Sequence, residues 1–106
     1  MSTIKTYNKL VRDNIPEIIE ANGGRCDTEQ LNRIDYIVAL EEKLKEELTE
    51  FQESYDIEEL ADMLEVIFAM AKVKGYSRMD MIRIQQEKRE RRGGFDKKIY
   101  LKTVEE

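Results

Sequence analysis

The chain of 106 residues has no histidine, no tryptophan, one cysteine (Cys26) and one proline (Pro16). Without histidine there is no imidazole for acid–base chemistry, and a lone thiol offers no ligand cluster, so zinc sites are disfavoured. A single cysteine also excludes an intramolecular disulfide. No apolar run approaches the roughly 20 residues of a membrane span, and the opening MSTIKTYNK lacks the apolar core of a secretory leader. A cytoplasmic protein that binds no membrane is the expectation. Positive charge is in deficit, 18 Lys and Arg against 23 Asp and Glu. The resulting field repels nucleic acid, and an anionic substrate has to be met by a local basic patch or a metal ion.

Charged residues make up 39% of the chain and hydrophobic ones 41%, the balance of a soluble domain whose helices carry charged outer faces. One domain spanning residues 1–106 is expected. The stretch KLKEELTEFQESYDIEELADMLE places four carboxylates in two pairs, Glu47 with Glu50 and Glu59 with Asp62, each three residues apart. On a helix such a pair lies on one face, one turn apart. If the chain turns back between Glu53 and Asp56, two helices bring all four acids together. They cannot all remain ionised unaided, since like charges at 4 Å repel by about 4 kcal/mol at an effective dielectric near 20. Protons or a hard divalent cation must compensate, and oxygen-only ligation favours Mg²⁺, with Mn²⁺ as a substitute.

The helical periodicity supports that geometry. Asp13-Asn14-Ile15-Pro16 reads as a helix start and Gly23-Gly24 as its end. A second helix over about 32–53 carries Ile37, Leu40, Leu44, Leu48 and Phe51 as one stripe, with Glu47, Glu50 and Lys43 at its edge and Glu42, Lys45 and Glu46 nearer water. A third, about 57–74, is apolar all round and is closed by Gly75. A helix of that kind needs cover on both sides, which motivates a homodimer or homotetramer. The fourth runs from Ser77 to about Arg91 and ends in the basic run of Lys88, Arg89, Arg91 and Arg92. Residues 3–7 read as a brief strand or extended arm, and residues 98–104 alternate like a short strand.

The order EExxE (Glu46, Glu47, Glu50) then ExxD (Glu59, Asp62) resembles the MazG-type, all-α nucleoside triphosphate pyrophosphohydrolases. YNKLVRDNIPEII at residues 7–19 and KRERRGGF at residues 88–95 look like the ends of a phosphoribosyl-ATP pyrophosphohydrolase-like subgroup, so the similarity spans nearly the whole chain. The interval from Glu50 to Glu59 is short for that family, which bears on pocket shape and substrate. The resemblance implies an all-α, four-helix MazG-like bundle with short extended segments at its ends, dimeric or tetrameric. It further implies Mg²⁺ on Glu47, Glu50, Glu59 and Asp62, and hydrolysis of a nucleoside triphosphate between its α and β phosphates. Glu46 or a ligating acid takes the proton of the attacking water, and Lys88, Arg92 and Lys43 meet the phosphates. Lys9 and Arg12 are further candidates near the nucleotide. The rival expectations are a non-enzymatic nucleotide-sensing or interaction protein that keeps the fold, and a metal-free helical protein whose acids pair with nearby cations.

Overall fold

The computed structural model describes residues 3–106, which form four helices and, among the described residues, no strand. The helices are α1 (Ile15–Ala21), α2 (Arg33–Ser54), α3 (Ile57–Val73) and α4 (Arg78–Arg92). Their boundaries follow from local chemistry. Asn32 caps α2 by accepting from the Asp35 amide at 2.9 Å. Ser77 and Asp80 close a full capping box at the start of α4, side chain to backbone in both directions at 3.0 Å. At the end of α3, Gly75 adopts φ +93°, and the amides of Gly75 and Tyr76 return to the carbonyls of Lys72 and Ala71. This is a Schellman closure, and it requires the left-handed backbone that glycine takes most readily.

The turn between α2 and α3 is only two residues long. Tyr55 takes the left-handed conformation (φ 55°), its amide bonds to the Phe51 carbonyl at 2.7 Å, and its ring meets that of Phe51 edge-on at 5.3 Å. Asp56 then caps α3, accepting from the Glu58 amide at 3.0 Å. The result is a tight antiparallel hairpin, whose open end is marked by Arg33 reaching the Val73 carbonyl. Leu40 from α2 and Val66 and Ala71 from α3 are its buried apolar residues, flanked by half-buried Ile37, Leu44, Phe51, Met63, Ile67, Met70 and Val73.

Three expectations from the sequence require correction. The helices do not close into a bundle within one chain: α1 packs against no other helix and α4 touches only α3. Beyond Met81 the side chains of α4 are all exposed, because that helix leaves α3 soon after its capped start. Neither residues 3–7 nor 98–104 form a strand, since neither finds a second segment to pair with. Leu48, assigned to the buried stripe of α2, is 43% exposed, and Leu60 and Leu64 on α3 are similarly open. The accessible surface, 10307 Å², compares with about 6,200 Å² for a folded monomer of this mass. The radius of gyration is 18.4 Å, against about 13 Å for a compact domain of this length.

Asp56 anchors the turn, so Asp56→Ala is expected to cost about 1 kcal/mol, a fall of about 4–8 °C in melting temperature for a domain of this size. Thermal denaturation followed by circular dichroism checks it, with Asp56→Asn, which keeps the capping oxygen, retaining most of the stability.

Candidate metal centre

The turn end of the hairpin gathers the acids. Glu47 and Glu50 lie in the last turns of α2 and Glu59 in the first turn of α3, so a two-residue connection suffices to bring them face to face. One carboxylate oxygen from each of the three lies within 4.8 Å of the others. Glu47 is buried, 5% exposed, and it is the buried charged residue among the described residues. The angular position on the helix placed it at the edge of the apolar stripe, whereas packing against α3 takes it inside.

Its two oxygens have different surroundings. Oε1 is 3.2 Å from the Lys43 ammonium, which also donates to Glu46 at 3.0 Å. Oε2 is enclosed and has no hydrogen-bond partner, and the same is true of Glu59 Oε2. Unpartnered buried carboxylate oxygens carry a desolvation penalty that something must offset. A hard divalent cation fits this donor set. Glu47, Glu50 and Glu59 would each offer such an ion one carboxylate oxygen.

The electrostatics show the strain of leaving the acids together. Burial, then the neighbouring Glu47 and Glu50 carboxylates, push the Glu59 pKa up to about 7. Burial also raises that of Glu47, against the pull of Lys43. Glu46 goes the other way: burial alone would raise it, but hydrogen bonds from Lys9 and Lys43 prevail and hold it below the usual range. Lys43 is raised, its own burial being outweighed by Glu46 and Glu47.

The remaining sequence candidates fall in two groups. Asp62 is not among the three converging acids; its Oδ1 accepts from the Arg12 guanidinium at 2.7 Å. Lys9 donates to Glu46 at 2.6 Å. Both cations therefore contact acids of the hairpin itself, and Glu46, expected nearer water, is half-buried between Lys9 and Lys43. The periodicity of α2 could not show this, because Lys9 is 37 residues away and Arg12 is 50 residues from Asp62. Lys88 and Arg92 are exposed on α4 and form no ion pair among the described residues, while Arg89 lies 3.8 Å from Asp96.

No family model, curated protein or solved structure matches the chain.

The raised acids carry a signed consequence for stability. Between the ordinary glutamate value of 4.5 and the Glu59 value of about 7, the folded state holds a proton that the unfolded state has released. Stability in this window falls as pH rises, the reverse of an ion-paired carboxylate. In chelator, the melting temperature is expected to decline from pH 5 to pH 7.5, and Glu59→Gln should flatten the decline. A melting temperature that rises over that interval in wild type would contradict this electrostatic assignment.

Proposed function

We propose that this chain is a Mg²⁺-dependent nucleoside triphosphate pyrophosphohydrolase that releases a nucleoside monophosphate and pyrophosphate, and that it works as a homodimer or a pair of dimers. The observation that carries the reading is the buried, unpartnered Oε2 of Glu47, whose carboxylate converges with those of Glu50 and Glu59 across the hairpin. The order of the acidic and basic motifs in the sequence supplies the substrate class.

Glu47, Glu50 and Glu59 would hold the ion, with Asp62 one turn beyond Glu59 as a further oxygen donor. When bound, Mg²⁺ neutralises phosphoryl oxygens and lowers the pKa of water beside them. The protein's part is positioning and charge neutralisation, which phosphoryl transfer chiefly asks for, and histidine is not needed. Lys43 holds Glu47 by Oε1, while Oε2 stays enclosed without a partner. In the reaction, water attacks phosphorus, the bond to the bridging oxygen breaks, and pyrophosphate leaves. Glu46 has both oxygens bonded to lysines and a depressed pKa, which makes it a poor proton acceptor and leaves that role to a converging glutamate. Lys88 and Arg92, one turn apart, carry the charge to receive the leaving pyrophosphate.

The homodimer rests on surface. An excess of about 4,000 Å² over a compact monomer is several times the roughly 800 Å² that one partner buries in a standard interface. Exposed Leu48, Leu60 and Leu64, and the open groove of Leu44, Ile67, Met70, Ala71 and Met81, are apolar surface a second copy would cover. Sedimentation velocity at micromolar concentration is expected to show a dimer or tetramer, and a monodisperse monomer would remove this part of the proposal.

A panel of ribo- and deoxyribonucleoside triphosphates with Mg²⁺ or Mn²⁺, read by pyrophosphate release, tests the activity. Glu59→Gln is expected to lower the rate by more than about 100-fold. Lys88→Ala and Arg92→Ala should raise KM, lower kcat, or both, while Arg89→Ala changes little because an exposed charge is screened. Cation binding without hydrolysis of any nucleotide would favour the non-enzymatic sensing protein. Absence of cation binding would leave the acids as an ion-pair network with Lys9, Arg12 and Lys43, the arrangement their contacts already form.

A further inference from the structure

Residues 3–14, before α1, form neither helix nor strand, yet they make two of the long-range side-chain contacts in the molecule. Lys9 pairs with Glu46 on α2 and Arg12 with Asp62 on α3. Three residues of extended chain cover about 10 Å, close to the 8–10 Å between two packed helix axes. The segment thus crosses the hairpin from one helix to the other, and it does so beside the converging glutamates. Each of its anchors is next to a member of that group: Glu46 precedes Glu47 in sequence, and Asp62 lies one turn after Glu59.

The anchoring is electrostatic and light. Lys9 and Arg12 side chains are 39% and 55% exposed, and pairs that open to solvent are weak. In this segment only Leu10 is more than superficially covered, and α1, which follows, packs against no other helix. On the α2 side charges alternate in an unbroken chain. Lys9 contacts Glu46, Glu46 contacts Lys43, and Lys43 contacts Glu47, whose other oxygen has no partner.

We propose that residues 8–14 form a strap over the acid site, in which Lys9 and Arg12 supply positive charge while no divalent cation is bound, and from which cation binding releases them. This inference rests on the metal-site reading above. A doubly charged ion among Glu47, Glu50 and Glu59 repels both strap cations and removes the negative potential that holds them. Release of Arg12 leaves the Asp62 carboxylate, one turn from Glu59, without its guanidinium and so available as a fourth oxygen donor. The strap and the ion compete for one set of carboxylates, and each weakens the other by the same factor.

The test uses the full chain, Mn²⁺ and trypsin, for which the Lys9–Leu10 bond is a cleavage site within the strap. Mn²⁺ is expected to accelerate cleavage there without accelerating it after Lys97 or Lys98, which serve as the reference. Calorimetric titration of the double variant Lys9→Gln/Arg12→Gln is expected to show Mn²⁺ bound about 3- to 10-fold more tightly than by wild type, the range that losing two weak competing pairs allows. A circular dichroism spectrum matching wild type establishes that the variant is folded, and the proteolysis of wild type requires no substitution at all. Equal or weaker Mn²⁺ affinity in the variant, or strap cleavage that Mn²⁺ leaves unchanged or slows, overturns the strap while the metal site stands. Failure of wild type to bind Mn²⁺ overturns the site and the strap together.

Discussion

Like charges enclosed by packed helices must be neutralised, and the rest of this molecule can be understood as a response to that requirement. Glu47 is placed inside the hairpin with one oxygen bonded and the other bare. Lys43 answers part of the charge, protonation of Glu59 below neutral pH answers more, and Lys9 and Arg12 answer the neighbours Glu46 and Asp62. None of these disposes of the bare oxygens of Glu47 and Glu59. The deficit that persists after every available side chain has been used is what distinguishes this cluster from the ordinary solvated glutamates of α2, such as Glu41 and Glu42, which lie in water and need no answer.

The helices were legible because their ends are written in single residues. Asp56, Ser77 and Gly75 each satisfy orphan backbone groups in a way few other residues can, and each is where the sequence places a boundary. The pairing of Glu47 and Glu50 with Glu59 was legible for a related reason, since spacing of three on a helix and a short turn leave little geometric freedom. What the sequence left open depends on distance along the chain. Periodicity describes one helix at a time, so it could assign Asp62 to the same face as Glu59 but not reveal that Arg12 arrives from 50 residues away to engage it. The same limit explains the alternating residues 98–104: alternation states which faces a strand would have, and only a neighbouring strand can make it one.

The apolar character of α3 and the openness of the chain belong together. Ile57, Leu60 and Leu64 remain exposed although the helix that carries them also provides half of the core. The tail after α4 also leaves Phe95, Ile99, Tyr100 and Leu101 exposed. Apolar surface that the chain leaves in water adds nothing to its stability, so the core rests on what the α2–α3 hairpin buries.

The two-residue turn at Tyr55 and Asp56 acts as a gauge block for the site. Each residue of helix turns its successors by about 100°, so one residue added between Phe51 and Glu58 would have to be absorbed wholly in the loop or would swing Glu59 away from Glu47. Tyr55 already occupies a left-handed conformation that most residues avoid, and the hydroxyl of Ser54 ties the Glu50 carbonyl to the Asp56 amide across the bend, leaving almost no slack to take up such a change. Variation in length at this point is therefore far more damaging than variation in residue type. Related chains that lengthen the bend would have to re-index their acids to keep them converging, and the count of residues between Glu50 and Glu59 becomes as much a property of the centre as the carboxylates themselves.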